Sequence, residues 1–360
     1  MKPRGLHREL FSYHDWASDR VFALARPLDD AQLDQPVAMG FGTLRATLDH
    51  LCAAERLWLD RWEKKPWAPL PPLDPAAGVA DLAGRFAHCA AEREAMLDKL
   101  GESAAEHLVE YRNTAGKAFT NPLGDLILHV TNHGVHHRAQ ALNMLRRVGV
   151  TTSNVDYLFF RLERPTVDLP AETVERLRKR GLAAAETRVE PARLDVATLR
   201  RYYEYGDWAT QQIFAAAAQL GDMQLDQPFE MGLGTLRKTL LHIRDAEQWW
   251  FDNWTRGPES GFPNSPATTA LAAAQELFAE TAKRRREHMA RLHDEDLQQV
   301  VSARPGGATV LACRMGESML QLCCHGTHHR AQASNMLRQL GVTPSALDVV
   351  VWLRATAASA

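Results

Sequence analysis

The sequence predicts an all-α protein: two tandem four-helix bundles, each with a crossover connection and a small hairpin before its last main helix. Three observations carry that expectation. Apolar residues recur at helical spacing over long stretches. Proline and glycine punctuation divides those stretches into four main helices per half. The whole pattern then occurs twice. LDQPVAMGFGTLR at 33–45 returns as LDQPFEMGLGTLR at 225–237, and HGVHHRAQA at 133–141 returns as HGTHHRAQA at 325–333. One offset, 192 positions from His133 to His325, aligns both pairs. That period is far longer than the roughly 20–50 residues of a solenoid repeat, and each half has the size of one ordinary domain. The expected borders are a first copy over 1–165, a linker over 166–192 with its own helix near 171–185, and a second copy over 193–360.

In the first half, Leu10, Tyr13, Trp16, Val21 and Leu24 mark a helix over 6–25. Thr43 offers an N-cap, and Leu44, Leu48, Leu51, Leu57, Trp58 and Trp62 continue as the second helix. The stretch EKKPWAPLPPLDP at 63–75 is too rich in proline for regular structure and reads as the crossover. A third helix spans 79–100. Residues 107–121 alternate weakly, and their counterpart, 300–312, reads as a hairpin around a Pro-Gly-Gly turn. The fourth helix runs over 123–147 to Gly149, and a short fifth follows near 154–162. In the second half the corresponding spans are 198–218, 235–254, 268–292, 315–339 and 345–355.

Composition bounds the function. The chain has 360 residues, 45% hydrophobic and 24% charged, with a net charge of −2. Charge this near neutrality gives no attraction to nucleic acid or to a membrane surface, and neither is expected as a partner. No apolar stretch approaches a membrane span. The five cysteines, Cys52, Cys89, Cys313, Cys323 and Cys324, are unevenly split and lack ligand spacing. They read as free thiols in a reducing compartment, which predicts a cytoplasmic protein.

The histidines carry the chemistry. His133 and His137 stand four apart on the fourth helix, as do His325 and His329, so each pair points two imidazoles the same way. His50 and His242 supply a third histidine on the second helix of each half. Two imidazoles from one helix and one from a neighbour suit a metal site inside a bundle. The ligand set predicted for a divalent ion, one per domain, is therefore His50, His133 and His137, then His242, His325 and His329. Zinc heads the candidates, with nickel or iron as alternatives.

Other repeated residues have quieter readings. His129 is replaced by Gln321 in the second copy, so a shared site does not need it. His136 and His328 sit about 100° around the helix from the ligand face, where hydrogen bonding is expected. Glu55 and Glu247 follow the second-helix histidine by five residues, about 140° away, which suggests a salt bridge, a cap or ligand orientation. Arg138/Arg330 and Gln140/Gln332 flank the metal face and are candidates to orient ligands or meet substrate, with a surface ion pair as the alternative for the arginines. The paired tryptophans read as core or pocket wall. Cys323-Cys324 faces Thr131-Asn132 in the other copy, which argues against a shared nucleophile.

These residues together resemble a known family. HxxHHRAQ late in each domain, the earlier histidine in LDHLCAAERLW, and the opening FSYHDWASDRVF are similar to the DinB/YfiT-like superfamily. PLGDLILHVTNHGVHHRAQ at 122–140 carries the likeness most closely. The resemblance covers nearly the whole chain, once per half. It implies a four-helix bundle holding a divalent metal on three histidines, which map to the six residues above. The second copy departs at CRMGES (313–318), where the first has TNPLGD (120–125). Members commonly dimerise, so the fused pair implies an intramolecular pseudo-dimer, with the chain itself a monomer or a homodimer. Relatives that use a low-molecular-weight thiol imply a thiol-dependent S-transferase acting on a small-molecule substrate. A metal-dependent hydrolase, or a non-catalytic metal-binding stress-response protein, are the other readings.

Overall fold

The computed structural model describes residues 5–152, 154–179, 188–304 and 311–357. The chain divides into two compact units. One comprises residues 7–153 and 346–360; the other comprises residues 1–6 and 154–345. They are called here the first and second bundle.

The first bundle contains α1 (Leu6–Ala25), a short α2 (Asp30–Leu33), α3 (Leu44–Trp62), α4 (Val79–Leu100), the strands β1 (Leu108–Arg112) and β2 (Ala118–Pro122), and α5 (Leu123–Arg147). The second bundle contains α6 (Tyr157–Glu163), α7 (Ala171–Lys179), α8 (Val196–Ala217), α9 (Asp222–Leu225), α10 (Leu236–Arg256), α11 (Leu271–Met289), β3 (Val300–Ala303), β4 (Leu311–Arg314) and α12 (Met315–Gln339). The last helix, α13 (Val349–Ala357), belongs to the first bundle.

Local chemistry sets the helix that carries the third histidine in each copy. Thr43 accepts from the Ala46 amide and Thr235 from the Lys238 amide, so α3 and α10 begin with the same side-chain cap. The four residues ending on the leucine of each LDQP phrase form α2 and α9, which the sequence pattern did not predict. Their purpose is visible in an ion-pair cluster. Arg45 binds Asp30 at 2.5 Å and Asp34 at 2.8 Å. Arg237 repeats this with Asp222 at 2.6 Å and Asp226 at 2.8 Å. Each pairing fastens the connection onto the first turn of the histidine-bearing helix.

Both copies form a two-stranded antiparallel hairpin. Leu108 pairs with Pro122 and Arg112 with Ala118; Val300 pairs with Arg314 and Ala303 with Leu311. The Pro-Gly-Gly turn falls at 305–307, outside the described residues. The linker helix is seen over Ala171–Lys179, and 180–185 also lie outside them.

In the first bundle, Phe11, Trp58, Trp62, Leu123, Ile127 and Val130 form one buried cluster that also contains Val350 of α13. In the second, α6 packs on α12, and Leu162 of α6 clusters with Leu177 of α7 and Leu311 of β4. Thr166 donates to Glu317 at 2.8 Å. The fifth helix of each repeat thus packs in the bundle built by the other repeat. The borders 1–165 and 193–360 describe the repeat in the sequence; the compact units divide the chain elsewhere.

Candidate metal centre

The structure brings the six histidines into two triads. In the first bundle, Nε2 of His133 lies 3.1 Å from Nε2 of His50 and 3.1 Å from Nε2 of His137. In the second, Nε2 of His242 lies 3.1 Å from Nε2 of His325. His329 completes that set, and within each triad the ligand atoms lie within 4.8 Å of one another. Metal–nitrogen bonds of about 2.0–2.1 Å at tetrahedral angles separate two nitrogens by roughly 3.3 Å. The convergence therefore fits a metal. Among the described residues, no cysteine or carboxylate joins either triad.

The state of the rings also fits. Nδ1 of His137 donates to Oε1 of Gln140 at 2.8 Å, and Nδ1 of His329 donates to Oε1 of Gln332 at 2.7 Å. An amide oxygen only accepts, so each Nδ1 carries the proton, and a neutral ring then has its lone pair on Nε2, the atom that a metal would bind. The glutamine amide is itself held, because its Nε2 donates to His136 in one copy and to His328 in the other, both at 3.0 Å. Burial keeps these imidazoles neutral, as ligands must be. It lowers His50 to about 4, and it takes His133, His325 and His329 well below the ordinary histidine range. The neighbouring rings push the last three in the same direction.

A glycine makes room for the orienting glutamine. Gly40 has φ +52°, and a Cβ there would fall 2.7 Å from Oε1 of Gln140. Gly232, at φ +55°, is its counterpart against Gln332 and Thr239. The repeated MGFG and MGLG phrases were the signal for this role, which sequence reasoning missed. Beside Gly40, Phe41 stacks on the His50 ring with centroids 3.9 Å apart, yet stays 40% exposed. Leu233 holds the equivalent position and is also 40% exposed.

Behind the first triad runs a buried polar chain. Nη1 of Arg138 donates to Nδ1 of His14 at 3.0 Å, and Nε2 of His14 meets Glu55 at 2.9 Å. Arg93 joins Glu55 at 2.9 Å to Asp15 at 2.7 Å. Burial pushes the Glu55 carboxyl up, but His14 and Arg93 outweigh it and hold it below its usual value. Glu55 thus has the salt-bridging role its helix position suggested. Arg138 is 2% exposed, which overturns the surface ion pair. In the second copy Gly206 stands where His14 does, and Arg285 pairs directly with Glu247 and Asp207. All five cysteines are buried and free. Burial raises the Cys323 thiol well above its ordinary value, so it is no activated nucleophile.

Fold and site together define a helical-bundle protein with two three-histidine centres of one design. Comparison with known proteins gives the family. The DinB family model matches residues 1–167 and 194–359, and the chain belongs to that family, twice over. It is similar to Protein DinB of Bacillus subtilis (strain 168), 24% identical over 166 residues, covering 42% of this chain and 92% of the relative. A DinB-like protein from Bacillus cereus ATCC 10987, known from a crystal structure, aligns at 19% identity with a TM-score of 0.35, covering 42% of this chain and 97% of that one.

Proposed function

We propose that this protein is a metal-dependent enzyme whose two centres activate a small thiol for transfer to an electrophile. The observation that carries this reading is the glutamine-set tautomer of His137 and His329 within triads that no other protein ligand joins among the described residues. A divalent ion held there, zinc first, would supply Lewis acidity and lower the pKa of a water or thiol at neutral pH.

The chain's own residues prepare the rest. His50, His133 and His137 present neutral nitrogen donors, and Gln140 with His136 fixes the ring of His137. In the second bundle all three histidines are only half-buried, so the centre is not sealed from solvent. Phe41, stacked on His50, leaves apolar surface beside the first triad for the carbon part of an electrophile, and Leu233 holds the equivalent sequence position in the second copy. In the transfer, the thiol loses its proton to solvent, sulfur forms the new C–S bond as the bond from that carbon to the leaving group breaks, and the leaving group departs with the electron pair.

The test uses zinc-loaded and cobalt-loaded protein with glutathione or cysteine and an aryl halide. Expected are release of halide, formation of the thioether, and a thiol-dependent change in the cobalt absorption. Loaded protein that transfers neither thiol, with cobalt bands indifferent to thiol, would overturn the reading.

A further inference from the structure

The repeat hides one more pair of equivalent residues. Asp156 and Asp348 are 192 positions apart, like the histidines, and each opens the short tail helix of its repeat. Their backbones act alike. The Asp156 carbonyl accepts from Phe159 at 2.9 Å, and the Asp348 carbonyl accepts from Val351 at 2.9 Å. Because the tail helices pack in the bundle of the other repeat, Asp348 lies in the unit of the His50 triad and Asp156 in that of the His242 triad.

What each aspartate meets is the residue one helical turn before the first ligand of the long helix. In the first bundle that residue is His129. It is buried, its Nδ1 has no hydrogen-bond partner among the described residues, and that atom faces Oδ1 of Asp348 at 4.0 Å. In the second bundle it is Gln321. Its Oε1 accepts from the Leu158 amide at 2.7 Å. An N-cap aspartate ordinarily uses its carboxylate on such an amide. Asp156 makes no side-chain cap; Gln321 caps the helix in its place, and its amide favours the charged form of the Asp156 carboxyl against the effect of burial. Position 129/321 differs between the copies, yet in both it lies against the start of the tail helix: His129, held neutral by burial, brings a ring nitrogen to the Asp348 carboxylate, and Gln321 caps the helix that Asp156 opens. Each carboxylate also acts electrostatically on the second-helix ligand of its bundle, Asp348 on His50 and Asp156 on His242.

We propose that Asp348 and Asp156 are positioning residues of the metal centres, each supplied by one repeat to the centre of the other. Each sets the turn that presents His133 or His325, and adds a negative charge close to a site built from neutral ligands. This rests on the metal reading above, but not on thiol transfer.

The test is cobalt titration of the full chain with one centre disabled. In a His329→Ala background, Asp348→Asn should weaken cobalt binding at the remaining centre about tenfold or more and shift its visible bands. Asp156→Asn should change neither. In a His137→Ala background the two variants should exchange effects. Asp348→Glu, which keeps the charge, should restore most of the affinity, while circular dichroism and melting report any loss of fold. Equal weakening by Asn and Glu would remove the role of charge. Unchanged cobalt binding in both Asn variants, or effects confined to the repeat that carries the aspartate, would overturn the proposal alone. A parent chain that binds no cobalt would overturn it together with the metal reading.

Discussion

At the scale of single residues, burial does the tuning. His50 is 8% exposed and lowered to about 4, while an unfolded chain returns it to about 6.5. Between those values the unfolded state binds the proton and the folded state does not. The stability tied to His50 is therefore complete above about pH 6.5 and lost as pH falls toward 4, up to about 3 kcal/mol from this ring alone. His133, His325 and His329 act in the same direction. Metal-free protein should show urea midpoints that fall across this window, above the range in which ordinary carboxylates titrate. A midpoint flat from pH 7 to 5 would contradict it. Saturating metal should move the loss to lower pH, because the ion competes with the proton for the same lone pairs.

At the scale of elements, the connection before α3 is as much part of the site as the helix. Gly40→Ala should cost about 1–2 kcal/mol for its left-handed backbone and also displace Gln140, weakening metal binding in the first bundle only. Gly116→Ala is the matched control. Its φ is +80° with nothing within 4 Å of a built Cβ, so it should lower stability without touching metal affinity. Equal metal affinities in the two variants would contradict the role assigned to Gly40. The long helices were legible because each keeps an apolar stripe for some twenty residues, and the ligand histidines because they keep helical spacing in two copies. The short α2 was not. LDDAQLDQP reads as turn chemistry, and only the Arg45 ion pairs, formed across the fold, show what holds it. His129 was set aside because Gln321 replaces it, yet the two side chains meet the start of the equivalent tail helix, one at the Asp348 carboxylate and the other at the Leu158 amide. Comparison of letters hides that kind of equivalence.

At the scale of the whole chain, the placement of the tail helices could not be read from periodicity. α6 and α13 are apolar enough to need a groove, but nothing local says which of two similar grooves each takes. Val349, Val350, Trp352 and Leu353 are all buried, and each such side chain contributes about 1.5–3 kcal/mol by leaving water. Removing residues 346–360 should therefore melt the first bundle at markedly lower temperature and reduce cobalt bound at the His50 triad. The His242 triad should remain filled. Calorimetry with cobalt counting on the shortened chain checks this, and loss from the second bundle instead would refute it.

The same arrangement has a consequence in time. A ribosome delivers the histidines of the first bundle before those of the second, but the first bundle stays without its closing helix until residues 346–360 emerge. The second bundle, whose helices are made later, has all its parts by residue 345. The bundle made first is finished last, and through most of synthesis the groove on α5 stands open to the short helix of its own repeat. The order in which the chain is made thus sets it a choice of partner that the finished fold no longer displays.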